Sequence, residues 1–122
     1  MNEEVFFFDT YAFFEIINGN PKYQKYQDVL PVTTVFNLAE LNYGLKKEKG
    51  AKLADWITEK YALYLVEVKI EDIKKAMDLK TKQRKLSIPD AIGYTIAKRH
   101  GLKFLTGDEA FRDFQGVEFV NK

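Results

Sequence analysis

The first apolar run of the chain restricts its fold more than any other feature. It consists of Val5, Phe6, Phe7 and Phe8, and the polar Asp9 ends it. Four consecutive bulky residues leave no polar face, so the run predicts a strand buried on both sides, as in a parallel sheet covered by helices. We therefore expect an α/β fold, with a central parallel β-sheet flanked by helices.

The rest of the chain alternates strand-like runs with helical patterns, which favours the same fold class. Helices are predicted over 11–17, 22–29, 34–50, 51–61, 70–84 and 87–100, with a helical turn over 108–111, and further strands over 30–33, 63–68, 103–105 and 117–120. In the helix over 51–61, Leu53, Trp56 and Ile57 are expected to face the core. With 122 residues and no linker or repeat, one domain spanning 1–122 is predicted.

Four acidic residues occupy positions that such a fold would bring together. Asp9 and Asp108 each follow a predicted strand, and Asp90 stands at a helix start. Glu40 lies in a helix, about 100° around its axis from Leu41 and so at the edge of the apolar stripe. In an open α/β sheet, the carboxyl ends of the strands border one crevice. Carboxylates crowded there repel one another, so the pattern predicts a hard divalent cation such as Mg²⁺ or Mn²⁺, and chemistry on phosphate groups.

Each acidic residue also has a purely structural interpretation. Asp9 suits the N-cap of the first helix, and Asp90 lies three residues after Ser87, as in a capping box. The segment Thr106–Asp108 fits an ST-turn followed by an N-cap, although the Thr106 hydroxyl could also bind a metal-bound water or a phosphate oxygen. Glu40 could be a solvated surface glutamate. Function is favoured over these alternatives because four acids share the pattern.

Composition excludes several classes of protein without selecting one. Nineteen basic and eighteen acidic side chains leave a net charge of +1, unlike a strongly basic nucleic-acid coat protein. With no cysteine and one histidine, His100, the chain cannot supply a thiolate nucleophile or a zinc motif. No apolar stretch is long enough to span a membrane, and Asn2 and Glu3 stand where a signal peptide would be basic. A cytoplasmic location is therefore expected.

A basic run, from Lys80 to Lys85, leads into the helix that carries Asp90. Most such runs form a solvated helix face. The functional alternative is a group of cations that positions phosphates beside the acidic centre. The sequence leaves both interpretations open.

Four short motifs follow one another along almost the whole chain. They are Phe8-Asp9-Thr10, Leu38-Ala-Glu40-Leu-Asn-Tyr-Gly44, Pro89-Asp90-Ala-Ile92 and Leu105-Thr106-Gly-Asp108-Glu-Ala-Phe111. Their order resembles that of the PIN domain family, and most closely the small VapC-type toxins of bacterial and archaeal toxin–antitoxin pairs. The resemblance implies a PIN-like three-layer sandwich and an endoribonuclease that depends on Mg²⁺ or Mn²⁺.

The same resemblance implies the site and the partners. The catalytic metal ligands would be Asp9, Glu40, Asp90 and Asp108, with Thr106 as a supporting catalytic hydroxyl. The expected partners are an RNA substrate, a second copy of the chain in a homodimer, and a small antitoxin that occupies the active-site groove. Glu15 departs from the apolar residue that many members carry in the first helix, which leaves the details of that helix open.

Other functions remain compatible with the sequence. One is a housekeeping PIN-type nuclease that processes RNA, and another is a non-catalytic PIN-like module that binds RNA or protein. A phosphoaccepting receiver domain would need an acidic pair directly after the first strand, where this chain has Asp9 and Thr10. The residues do not specify which RNA is cut, how many metal ions are used, or whether Glu40 binds metal or orients water.

Overall fold

The computed structural model describes residues 4–122, and within that range the chain forms four strands and five α-helices. The strands are β1 (Val5–Phe8), β2 (Leu30–Val32), β3 (Lys103–Thr106) and β4 (Val117–Phe119). The α-helices are α1 (Thr10–Ile17), α2 (Val35–Lys49), α3 (Ala51–Tyr61), α4 (Ile70–Lys82) and α5 (Ile88–Arg99). Three 3₁₀ helices cover Pro21–Asp28, Ala62–Tyr64 and Glu109–Phe111. Asn2 and Glu3, which entered the signal-peptide argument, lie outside the described residues.

The four strands form one parallel sheet with the spatial order β2-β1-β3-β4. From β1 the chain passes to β2 on one side, and it later returns to β3 on the other side. The order of the sheet therefore reverses between β1 and β3. In α/β proteins, the carboxyl ends of the two strands at such a reversal border the crevice in which ligands bind.

Helices cover both faces of the sheet, so the predicted three-layer α/β sandwich is confirmed. Phe6 and Phe8 join one core with side chains from α1, α2 and α3. Phe7 points to the opposite face and joins a second core with side chains from α4 and α5. Because successive side chains of a strand alternate between faces, all three phenylalanines are buried. Among residues 4–122, no helix is both long enough and apolar enough to cross a membrane.

Most predicted elements lie within two residues of the observed ones, but the inward face predicted for α3 is confirmed only at Ile57 and is wrong at Leu53 and Trp56. Leu53 and Trp56 are 42% and 62% exposed, and the helix buries Ala54 together with the predicted Ile57. The small Ala54 side chain is fully buried in the core that α2 and α3 share, so the stripe that contains it faces inward. The larger side chains beside that stripe are left facing solvent.

The strand predicted over 63–68 is also wrong. A 3₁₀ helix occupies its beginning, and one isolated bridge, between Leu65 and Thr33, is the only strand pairing of this segment in the described part of the chain. The Thr33 N–H donates to the Tyr64 carbonyl at 3.1 Å, and the Val66 N–H donates to the Thr33 carbonyl at 2.9 Å. The segment thus lies along the end of β2 without forming a ladder.

Pro31 explains why no ladder extends along this edge. The Leu30 N–H donates to the Glu4 carbonyl at 2.9 Å, toward the β1 side. Backbone groups of successive strand residues point to opposite sides, so the nitrogen of Pro31 faces the outer edge, where proline has no N–H to donate. A fifth strand would lack that hydrogen bond.

An ion pair holds α4 against α5. Arg99 donates from Nε to Oδ1 of Asp72 at 2.8 Å and from Nη2 to Oδ2 at 2.9 Å, and it also reaches the Glu67 carbonyl at 3.1 Å. Asp72 is buried, and its Oδ2 accepts the Lys69 N–H at 2.8 Å at the start of α4. The C-terminal end of α5 is therefore fixed, and the opposite end of this helix carries Asp90.

We expect Asp72→Ala to lower the free energy of unfolding by about 2 kcal/mol, since it removes a helix cap and the buried partner of an ion pair whose arginine is partly exposed. Urea unfolding at pH 7, followed by circular dichroism, measures the loss. The matched control is Glu71→Ala, whose exposed pair with Lys74 is 3.5 Å long and should contribute less than about 0.5 kcal/mol. Equal losses for the two variants would contradict the role given to Asp72.

Candidate metal-dependent site

Asp9 lies at the carboxyl edge of the sheet, directly after β1, and is 1% exposed. Its backbone N–H donates to the Leu105 carbonyl on β3 at 3.1 Å. Its Oδ1 accepts the Thr10 N–H at 2.9 Å and caps α1, while its Oδ2 accepts the Thr106 hydroxyl at 2.7 Å. Main chain and side chain together join the ends of β1 and β3 at this carboxylate.

Thr106 also positions Asp108. Its Oγ1 accepts the Asp108 N–H at 3.1 Å, and Oδ1 of Asp108 accepts a backbone N–H of the following helical turn at 3.0 Å. The predicted ST-turn and N-cap are thus both present. Gly107 is required at this corner because a Cβ there would overlap the Val120 carbonyl oxygen and the Tyr11 ring.

Asp90 is held at the start of α5 by the predicted capping box. The Asp90 N–H donates to Oγ of Ser87 at 3.1 Å, and the Ser87 N–H donates to Oδ2 of Asp90 at 2.9 Å. A Cβ on Gly93 would lie 2.9 Å from Cε1 of Phe7, so the glycine lets α5 approach β1 closely. This approach brings the first turn of α5 to the edge of the sheet on which Asp9 lies.

Glu40 comes from α2, which begins at the N-cap residue Thr34 and is anchored by a buried Asn37 side chain that sequence reasoning missed. The Thr34 hydroxyl donates to Oδ1 of Asn37 at 2.7 Å, and Nδ2 of Asn37 donates to the Thr10 hydroxyl at 3.4 Å. The available signal was an asparagine three residues after a threonine N-cap. Half-buried Glu40 lies one turn further along the helix, and its carboxylate makes no hydrogen bond or ion pair with residues 4–122.

All four predicted carboxylates line one open cavity of about 390 Å³. The other residues of its wall are Thr10, Tyr11, Phe14, Tyr43, Gly44, Lys47, Glu48 and Ser87. Thr106 is fully buried and contacts the site through Asp9. The basic run from Lys80 to Lys85 is not part of this wall, and the Nζ of Lys80 donates to the Leu86 carbonyl at 2.6 Å.

Cavity size alone would select a different place. The largest cavity, of about 510 Å³, lies at the start of α3 beside Leu53 and Trp56, and no carboxylate is among the described residues of its wall. Another, of about 460 Å³, lies beside β2, where Asp28 is the single carboxylate among the described wall residues. The cavity that the four carboxylates line is the candidate site because its wall concentrates acidic groups where the strand order reverses.

Burial and mutual repulsion oppose ionisation in the candidate site. Burial, and then the charge of Asp90, raises the pKa of Asp9 well above its usual value, against a lowering effect of the Thr106 hydroxyl. Burial, with the charges of Glu40 and Asp108, raises the pKa of Asp90 to about 6, although its hydrogen bond from the Ser87 N–H lowers it. A cation entering the cavity would relieve this repulsion.

The donors suit a hard divalent cation by their chemistry, since every candidate ligand is a carboxylate oxygen. Within residues 4–122, however, no three Asp, Glu or His side chains are already arranged to hold one ion. The assignment of Asp9, Glu40, Asp90 and Asp108 as metal ligands therefore stays a prediction.

We expect Asp90→Asn to stabilise the metal-free protein at pH 8. Because the pKa of Asp90 is raised on folding, the folded chain binds more protons between about pH 4 and pH 6, and wild-type stability falls as the pH rises through that window. A rise from 3.8 to about 6 corresponds to a gain of about 2–3 kcal/mol for the variant at pH 8, and to almost none at pH 4. Asparagine can still accept the Ser87 N–H.

Urea unfolding in EDTA at the two pH values tests this, with Asp78→Asn as the control because Asp78 is exposed on α4. A variant that is less stable than wild type at both pH values would show that the carboxylate stabilises the fold rather than straining it.

The comparisons with known proteins agree with this architecture. The family model of the PIN domain matches residues 6–117. The fold is similar to a chain of a toxin–antitoxin complex from Klebsiella pneumoniae, with a TM-score of 0.72 and 19% identity over 92% of this chain and 94% of that one.

Two further solved structures share the fold. One is VapBC2 from Rickettsia felis bound to a promoter DNA fragment (TM-score 0.70, 15% identity, 97% of this chain and 98% of that one). The other is DNA-bound VapBC from Salmonella typhimurium (TM-score 0.71, 14% identity, 98% of each chain). No curated protein matches the sequence significantly. Since the family match covers nearly the whole chain, from within β1 to the start of β4, the chain belongs to the PIN domain family.

Proposed function

We propose that this chain is an endoribonuclease that hydrolyses RNA phosphodiester bonds with Mg²⁺ or Mn²⁺, and that it is the toxin of a toxin–antitoxin pair. The observation that carries the proposal is the convergence of four carboxylates on one open cavity. Membership of the PIN domain family supports nuclease chemistry at this place.

The roles of the residues follow from their contacts. Asp9, Asp90 and Asp108 would hold the cation, and Glu40 would either bind it or orient the attacking water. When bound, such a cation neutralises the scissile phosphate and lowers the pKa of the attacking water. Thr106 restrains Asp9 and Asp108 through the two hydrogen bonds of its hydroxyl. Restrained carboxylates lose little conformational freedom when a ligand binds.

The proposed partners rest on the structural relatives, which are chains of toxin–antitoxin and VapBC complexes. By that likeness we propose a small antitoxin that covers the cavity, and a homodimer as the assembled form. A cytoplasmic location belongs to the same proposal, because the proposed RNA substrate is present there.

One observation is equally compatible with a second candidate function. The described residues contain no preformed group of three metal-binding side chains, which is also what a non-catalytic RNA-binding or protein-binding PIN module would show. A housekeeping nuclease would share the chemistry of the toxin but lack an antitoxin. RNA cleavage distinguishes the non-catalytic module from our proposal, and the presence of an antitoxin distinguishes the housekeeping nuclease from it.

Purified protein is expected to cut single-stranded RNA when Mg²⁺ or Mn²⁺ is present and to stop when EDTA is added, leaving 5′-phosphate and 3′-hydroxyl ends. Asp9→Asn should lower the rate by about 100-fold or more, because it removes a charge at the centre of the site. Asp78→Asn, prepared identically, should keep the wild-type rate. Equal cutting by all three proteins would reveal a contaminant, and RNA binding without cutting would identify a non-catalytic module.

The toxin assignment predicts growth arrest on expression. Wild-type chain should stop growth, Asp9→Asn should not, and co-expression of a small reading frame adjacent to the gene should restore growth. Light scattering after size exclusion should then show a complex of the two products, and a dimer of the Asp9→Asn chain alone. Normal growth with active wild-type enzyme would indicate a housekeeping nuclease.

A further inference from the structure

Tyr43 and Lys47 follow Glu40 along one face of α2, at the third and seventh residues after it. Both line the cavity that contains the carboxylates. Tyr43 is 66% exposed, and the Nζ of Lys47 lies 4.6 Å from the centroid of its ring. An aromatic face and an ammonium group therefore stand together at the cavity.

The position of this pair is set by the packing of α2. Leu41 and Leu45 are fully buried on the inner side of the helix. On the side of α1, a Cβ on Gly44 would overlap the Phe14 ring, so the two helices are already at close contact. The exposed ring of Tyr43 is thus held beside the acidic cavity by its neighbours on the same helix.

The charges of the cavity make Lys47 distinctive. Among the described residues of the wall, five are carboxylates, namely Asp9, Glu40, Glu48, Asp90 and Asp108, and Lys47 is the only basic one. A polyanion that enters this cavity is repelled by every other charged side chain of the wall. Lys47 can bind a phosphate there, and the adjacent ring offers its face to a base.

We propose that Tyr43 stacks against a nucleobase beside the scissile phosphate and that Lys47 binds the neighbouring phosphate. The inference rests on the proposed ribonuclease function and names its substrate as single-stranded RNA. A base inside a duplex does not expose its face, and stacking accepts every base because each has a π face.

Trp56 supplies a matched control within the same protein. It is 62% exposed on α3, and the Nζ of Lys60 lies 5.9 Å from its ring. The pair has the same helical spacing of four residues as Tyr43 and Lys47, but neither residue lines the acidic cavity. If RNA bound any exposed aromatic side chain without regard to its position, replacing Tyr43 or Trp56 with alanine would weaken RNA binding equally.

The test measures steady-state cleavage of short single-stranded RNA with the active metal. Tyr43→Ala should raise KM about tenfold, while Tyr43→Phe and Trp56→Ala should stay within about twofold of wild type. Lys47→Gln should weaken binding and lower the slope of log affinity against log salt by about 0.7, the contribution of one phosphate on a single strand. Thermal melting should be unchanged in all four variants, because the altered side chains are exposed.

Substrates with one abasic site locate the stacked base. At one position next to the scissile bond, removal of the base should raise the wild-type KM about tenfold and leave that of Tyr43→Ala unchanged. An equal abasic penalty in both enzymes, or an unaltered KM for Tyr43→Ala, would overturn the stacking role while leaving the nuclease intact.

Two other outcomes count against the inference for different reasons. If wild-type protein cuts no RNA with any divalent metal, the proposed function fails and the inference fails with it. If Tyr43→Ala cuts RNA normally but no longer binds the antitoxin, the ring is a protein-docking surface and not a nucleobase platform.

Discussion

The hydrogen bond from the Thr106 hydroxyl to Asp9 joins the two strands between which the order of the sheet reverses. Asp9 is almost completely removed from water, and a carboxylate in that position needs a donor for each oxygen. Its other oxygen accepts the Thr10 N–H, so the side chain is satisfied only where β1, α1 and β3 meet. The geometry of the acidic cavity depends on this junction.

Caps and candidate ligands are the same residues in this protein. Asp9, Asp90 and Asp108 each accept a backbone N–H at the start of a helix or helical turn. The partial positive charge of a helix N-terminus offsets part of the repulsion among carboxylates. The structural and functional interpretations of these acids are therefore not exclusive, because a carboxylate that caps a helix can also line the cavity.

The sequence predicts the elements whose own pattern decides them. A run of four apolar residues identified β1, and leucines at helical spacing identified α2. Three of the acids could be placed because their positions relative to strand ends and helix starts set their location. The wrong predictions concern elements whose structure depends on distant partners. A strand over 63–68 would need to pair with the β2 edge, which Pro31 interrupts. The orientation of α3 depends on the close approach to α2 that the small Ala54 side chain permits.

Two parts of the site were not predicted from the sequence. The spacing of Asn37 from the Thr34 N-cap was a local signal, but the buried partner of Asn37 is Thr10, 27 residues away, and local pattern does not reveal that contact. Tyr43 was overlooked because aromatic side chains are usually assigned to the core, yet here the ring is exposed. Position relative to Glu40, rather than hydrophobicity, was the informative property.

The edge formed by β2 also limits how the protein can assemble. An exposed parallel edge is ordinarily a template onto which another chain can add a strand, in regulated complexes as well as in aggregates. Here Pro31 has no N–H to donate in the middle of that edge, and the backbone N–H and carbonyl of Thr33 at its end already form hydrogen bonds with residues 64–66. Both features disfavour extension of the sheet at β2 by a binding partner or a second copy, and they favour association through other surfaces of the molecule.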